Sequence, residues 1–340
     1  LIREMVDTGA GDRAAPPSRF PSPIHEVPPM RPLFGYHLPN YTFPGVAPEA
    51  LFDHVAGLAQ RAEAAGFDLV TVMDHFYQIP GVGPEDAPML EAYTALAGIA
   101  ARTTRVRLGA LVTGVTYRNP AHLAKIVTTL DVVSGGRAIL GIGAAWNESE
   151  HRGYGFDFPR VGERMDRLDE ALTICRRMFT EERPTFEGRF YRIESALNRP
   201  RPIQAGGPRI LIGGGGEQRT LRLVARHADY AHWFPLGMDV LRHKTELLER
   251  YCDEIGRDPA TITRTMAAPV MLVADEREGE ARLERIPPER RGALVAATPE
   301  RAAEILADYV DAGFGGFTFG NTMLSGDSLD LAAEMIRSFG

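Results

Sequence analysis

Asp74-His75 is the pair of neighbouring residues best suited to acid–base chemistry in this chain. Histidine exchanges a proton near neutral pH, and an adjacent carboxylate can orient its ring and steady the cation. The plainer alternative is a structural histidine bonded to backbone, because adjacent residues at a strand end need not face the same way. A second stretch offers different chemistry. Ile210-Leu211-Ile212 runs into Gly213-Gly214-Gly215-Gly216, and Glu217-Gln218-Arg219-Thr220-Leu221 reads as a helix beginning at once. Glycines let the backbone approach a ligand closely, and the free N–H groups and dipole of a helix start favour an anion. Four glycines exceed what a tight βα turn requires, so the run is expected to cradle a phosphate. Arg219 and Arg222 either add charge there or are solvated helix residues. The spacing is not the GxGxxG of a Rossmann domain.

Other chemistries find less support. His37, His75 and His232 stand singly, without the His-x-His spacing of a barrel metal hydrolase, and no metal site is expected. No G-x-S-x-G turn presents a serine nucleophile. Trp146 and Trp233 both end apolar runs, where a flat ring stacks on a cofactor or fills the core.

These residues need a scaffold, and the pattern supplies one. Short apolar runs alternate with amphipathic helical segments at 33–38, 67–73, 106–113, 138–143, 209–213, 229–234, 267–274 and 316–320. Most are too continuously apolar for half-exposed strands, as befits a parallel sheet covered on both faces. Asn119-Pro120 opens a helix as N-cap and first residue, Leu123, Ile126, Val127, Leu130 and Val133 form its stripe, and Gly135 closes it. Thr298-Pro299 opens another, and Ala65-Gly66-Phe67 returns as Ala312-Gly313-Phe314 before the last strand. Eight βα units in strict alternation predict a (β/α)8 TIM barrel, with reacting groups at the carboxyl ends of its strands. His37, Asp74-His75, Trp146, Gly213–Gly216, His232 and Trp233 fall at such ends. Long Arg-, Pro- and Glu-rich segments at 180–208 and 275–297 read as insertions, serving as lids or as plain surface loops.

The chain has 340 residues, 44% hydrophobic and 24% charged, with a net charge of −7. That balance argues against general binding to nucleic acid or a membrane surface. No apolar stretch is long enough to span a bilayer. Cys175 and Cys252 fit a reduced, cytoplasmic setting better than a disulfide framework. Residues 1–30, with Pro16-Pro17, Pro21, Pro23 and Pro28-Pro29, read as a disordered extension ahead of a barrel domain at 31–340, with Met30 as a candidate initiator.

Several strings then resemble one family. Met73-Asp74-His75-Phe76, the run from Gly109 to Pro120 (GALVTGVTYRNP), Asp131–Arg137 (DVVSGGR), Leu140–Glu148 (LGIGAAWNE), Gly162-Glu163-Arg164 and Ile210–Gly216 are similar to the bacterial luciferase-like oxidoreductases, particularly the actinobacterial branch using coenzyme F420. The resemblance spans about residues 32–339. It implies a barrel with insertion segments over its carboxyl face, and hydride transfer between a deazaflavin C5 and an organic substrate. It places Asp74 and His75 at the reacting part of the ring, as catalytic residues. It places Leu111, Val112, Thr113, Trp146, Asn147 and Gly213–Gly216 around the cofactor, with a non-proline cis peptide near Leu111–Val112. Where one branch carries a glutamate after strand four, Trp146 stands here, with Glu148 and Glu150 as nearby substitutes. FMN is the alternative cofactor, in a two-component monooxygenase; a non-catalytic flavin-binding relative is a third reading. The expected partners are a small-molecule substrate and a second copy of the chain.

Overall fold

The computed structural model describes residues 31–286, 291, 294–321, 323 and 328–340; the proline-rich segment 1–30 lies outside them. The strands are β1 (Leu33–Leu38), β2 (Leu69–Val72), β3 (Arg107–Ala110), β4 (Thr113–Gly114), β5 (Ile139–Gly143), β6 (Phe186–Glu187), β7 (Arg192–Ile193), β8 (Arg209–Gly213), β9 (Tyr230–Trp233), β10 (Thr263–Ala267), β11 (Val270–Leu272), β12 (Val295–Ala297) and β13 (Gly316–Gly320). The helices are α1 (Leu51–Ala64), α2 (Ala92–Arg102), α3 (Pro120–Ser134), α4 (Glu148–Tyr154), α5 (Val161–Thr180), α6 (Thr220–His227), α7 (Met238–Glu254), α8 (Glu276–Glu284), α9 (Pro299–Asp311) and α10 (Ser328–Arg337).

Nine of the strands form one parallel sheet in the order β3-β2-β1-β13-β10-β9-β8-β5-β4. β3 and β4 are two halves of a single staves-width strand, broken at Leu111-Val112, where the peptide is cis. Leu108 on β3 bridges Ala138 just before β5, so the ring closes with eight positions. The barrel is thus the predicted one. All five residues of β5 are buried, as a strand covered on both faces must be.

Local signals act as expected. The Asn119 side chain accepts from the N–H groups of Ala121 and His122, and Gly135 ends α3 in the left-handed region at φ 68°. Gly66 and Gly313 take the same left-handed turn, at φ 99° and 88°, before β2 and β13. Leu123, Val127 and Leu130 are buried, whereas Val133 faces outward.

Two boundaries differ from the sequence reading. The seventh barrel strand is β10 at 263–267, not the apolar run 267–274, whose Val270–Leu272 leaves the barrel and pairs with β12. β10 alternates Thr263, Thr265 and Ala267 with Arg264 and Met266, so its weaker apolar signal hides a strand with a polar inner face. The helix after the glycine run starts at Thr220, three residues later than expected. The segment 180–208 docks at the amino-terminal end of the barrel: Asp131 accepts from the backbone N–H groups of Ile203 and Gln204, and Gln204 reaches the Ala138 carbonyl. The segment 275–297 instead follows β11 and holds α8 and β12, with 287–290 and 292–293 outside the described residues. No helix among the described residues is long and apolar enough to cross a membrane.

Candidate active site

β2 ends and delivers Asp74 and His75 to the rim, and their side chains part there. Asp74 is buried and takes a two-pronged bond from Arg118, at 2.5 and 3.1 Å. Arg118 also reaches Glu91 at 2.7 Å and lies 4.9 Å from the Tyr93 ring centre. Burial pushes the Asp74 carboxyl up, and the Arg118 guanidinium opposes that push without cancelling it. Asp74 therefore does not orient His75, contrary to the simplest reading of the adjacent pair.

Glu150 orients it instead. This carboxylate is wholly buried on α4 and accepts from His75 Nδ1 at 2.6 Å and Tyr117 Oη at 2.5 Å through Oε1. Its Oε2 accepts the Phe76 N–H at 2.7 Å. Burial alone would raise the Glu150 carboxyl; the bonds from His75, Tyr117 and the Phe76 backbone outweigh it and hold the group below the usual range. Tyr117 needs its proton for this bond, and burial with the carboxylate beside it pushes the phenol up. With Nδ1 committed to Glu150, His75 presents Nε2 to a ligand. Glu148, the other substitute named by resemblance, is exposed and pairs with Arg152 on its own helix.

Residues expected around a cofactor fall into two groups. Gly213–Gly216, Leu111, Val112 and Trp146 lie open or partly open at the mouth. Val112 packs against two glycines: a Cβ on Gly213 or on Gly143 would meet its methyl groups at 3.0 Å. Trp146 is 57% exposed, with its ring edge-on to His75 at 5.5 Å. Thr113 and Asn147 are engaged elsewhere. Thr113 is fully buried with its hydroxyl 2.6 Å from Tyr93 Oη, and the Asn147 side chain caps α4 at the Ser149 N–H. Of the tryptophans, Trp233 is core, edge-on to Phe314, and leaves Phe234 as the exposed aromatic at its strand end.

The glycine run has the makings of an anion cradle. The Gly214 N–H bonds the His232 carbonyl, while those of Gly215 and Gly216 have no partner among the described residues. A Cβ on Gly216 would meet Thr220 Oγ1 at 2.8 Å, and Gly214 sits at φ 116°. The charge comes from a residue the sequence reading passed over. Lys244 on α7 is buried and donates to the Gly215 carbonyl at 2.6 Å and to Glu217 at 3.1 Å. Arg219 and Arg222 are committed outside the cradle, to Gly162 and Asp166 and to Glu254. Lys244 carried no motif; it joins the run only because α7 folds back over α6. A phosphate fits this donor set: two free N–H groups, one ammonium and glycines whose side chains would close the gap. Among the described residues no three His, Cys, Asp or Glu side chains group to hold a metal ion.

Comparison with known proteins agrees with this picture. Residues 33–292 match the family model described as luciferase-like monooxygenase. An F420-dependent glucose-6-phosphate dehydrogenase of Intrasporangium calvum is 33% identical over 78% of this chain and 87% of its own length. An F420-dependent secondary alcohol dehydrogenase in complex with an F420-acetone adduct superposes with TM-score 0.72 at 20% identity, covering 92% of this chain and all of that one. The long-chain alkane monooxygenase LadA does so with TM-score 0.74 at 15% identity, over 91% of each chain. At these identities the two solved structures speak to the fold.

Proposed function

The chain belongs to the luciferase-like monooxygenase family, and on that premise we propose that it is a coenzyme F420-dependent oxidoreductase acting on a small organic substrate. The observation that carries the reading is an imidazole at the barrel mouth, tethered through Nδ1 to a buried carboxylate and facing the same opening as an anion cradle. When bound, the deazaflavin exchanges a hydride with a substrate carbon at its C5. The protein's own work is positional and electrostatic. Gly215, Gly216 and Lys244 would hold the cofactor's phosphate, and Val112 with the glycines packed on it and Trp146 beside His75 would line the space left for its ring. His75 Nε2 takes the hydroxyl proton when an alcohol is oxidised and returns it when a carbonyl is reduced. Glu150 and Tyr117 keep that ring in one orientation and stabilise its cation. Asp74 serves as the counter-ion of Arg118 and shapes the base of the rim.

Titration of the purified protein with F420 and with FMN, followed by fluorescence, tests the proposal. F420 is expected to bind and FMN to bind far more weakly. Tight FMN with no affinity for F420 would replace this reading by a two-component monooxygenase.

A further inference from the structure

We propose that His37 and His232 form a pair of neutral hydrogen-bond acceptors on the floor of the mouth, which selects a neutral alcohol carrying a second hydroxyl. This rests on the hydride-transfer reading above and adds to it the class of substrate. His37 ends β1 and His232 ends the inner part of β9, so the two face the barrel's interior from separate strands. Each ring is fixed through Nδ1 by a threonine of the neighbouring strand. His37 Nδ1 lies 2.9 Å from Thr71 Oγ1, and His232 Nδ1 lies 2.9 Å from Thr265 Oγ1. The Thr265 hydroxyl spends its proton on the Ala231 carbonyl at 2.9 Å. It has only a lone pair for His232, so Nδ1 carries the hydrogen and Nε2 is left an acceptor; for His37, whose Thr71 hydroxyl can give or take, the same tautomer is part of the proposal.

Neither Nε2 has a partner among the described residues, yet both side chains retain some exposure at the floor. The rings are also kept neutral. Burial lowers His37 to about 4, against the opposing pull of the Thr71 backbone, and lowers His232 to about 3. The imidazoles of His37, His75 and His232 influence one another electrostatically, but among the described residues they do not group closely enough to hold a metal ion.

A floor of two lone pairs has a definite preference. It accepts O–H donors and repels carboxylates, phosphates and bare carbonyl oxygens. One hydroxyl, at the reacting carbon, gives its proton to His75 Nε2 as the hydride leaves for the cofactor. A second hydroxyl donates to His37 or His232. A substrate lacking it leaves that acceptor dry and unpaired, which is the usual source of discrimination between hydroxylated compounds and their deoxy analogues.

The test compares propane-1,2-diol with propan-2-ol, and glucose with glucose 6-phosphate, as reductants of F420 by the intact protein. The wild type is expected to favour the diol by about 10-fold in kcat/KM, and the neutral sugar over its phosphate. His37→Leu and His232→Leu should bring the diol preference close to one, while F420 affinity, measured by fluorescence, stays within about 2-fold. The Gln variants, which restore a polar atom near the Nε2 position, should recover part of it. Nitrogen-15 NMR of the histidine rings gives a readout that needs no variant to fold: both should be the neutral, Nδ1-protonated tautomer at pH 7. An Nε2-protonated or cationic ring, an unchanged preference in the Leu variants, or a preference for the phosphate would overturn the proposal. If F420 binds but no alcohol reduces it, the substrate class is wrong and the cofactor reading stands. If F420 does not bind, both fall.

Discussion

Around His75 the mouth is built of side chains brought from distant parts of the chain; around the glycine run it is built of backbone. The first region collects Asp74, Glu91, Tyr93, Arg118, Tyr117 and Glu150 from four segments, and nearly every polar atom has a partner. The second uses four consecutive residues, two of whose N–H groups have none among the described residues, with Lys244 as its buried cation. A network of satisfied, buried groups is rigid and costly to break, which suits a ring that must hold one orientation. A cradle with donors to spare suits a ligand that comes and goes. Damage in the first region should therefore fall on stability and turnover, and damage in the second on affinity.

The largest effect is expected from Arg118→Leu. It leaves the buried Asp74 carboxylate without its two-pronged partner, a change that costs about 3–5 kcal/mol in comparable buried pairs. The lone carboxyl would then hold its proton to higher pH in the folded than in the unfolded state. Such a group stabilises the fold below its unfolded value, near 3.9, and loses that contribution as pH rises through its folded value. The deficit measured by urea unfolding should accordingly be smaller at pH 5 than at pH 8. A deficit below about 1 kcal/mol, unchanged with pH, would mean that the pair is no more than a surface contact.

Glu150→Gln probes the same region through the histidine. The amide keeps the shape and loses the charge, so an interaction worth about 1.5–3 kcal/mol to a charged partner is weakened. Turnover should fall about 10- to 100-fold while KM and F420 affinity hold, because the residue acts on the His75 ring and not on the ligand. The histidine NMR spectrum should show His75 passing from one tautomer to a mixture. Stability gives an independent check. The folded Glu150 carboxyl lies below its ordinary value, so its contribution is present above about pH 4.3 and disappears as pH falls through the folded value. The gap in stability between wild type and variant should narrow on acidification; a constant gap would point to lost packing alone.

The contrast also explains what could be read from the chain beforehand. The setting of the glycine run was legible because it is local: four residues, one strand before them and one helix after. The barrel was legible for the same reason, since burial on both faces writes itself into each short strand. Only β10, whose inward Thr265 answers to His232 and not to a core, misled the pattern. The partners of the acid–base residues were not legible. Asp74 stands beside His75 in sequence, yet the pleat sends it to Arg118, and the carboxylate that meets His75 comes from α4, 75 residues away. Nothing in the spacing of Glu150 announces this, because a helix's approach to a strand end is set by packing of the whole barrel. Trp233 was ambiguous for the converse reason: a residue at a strand end can turn inward, and this one does.

The glycine side is tested by a pair of variants expected to move affinity in opposite directions. Lys244→Met removes the buried ammonium at the cradle while filling its volume. F420 should bind about 10-fold more weakly, the loss of one charge-assisted bond, and with a shallower salt dependence. Glu217→Gln removes the carboxylate that competes for that ammonium, together with its contact to His243 at 3.5 Å. Binding should tighten by a few-fold, since the lysine no longer has to leave an anion to meet the phosphate. Thermal stability should change little in either case, because the Glu217 carboxylate is open to water and methionine at 244 keeps the buried apolar stem packed. If both variants weakened binding, Glu217 would be accepting a hydrogen bond from a hydroxyl of the ligand, and the cradle would have to be redrawn around it. If neither changed affinity while Glu150→Gln did, the phosphate would lie elsewhere on the rim, and the division between a side-chain half and a backbone half would fail at its backbone half.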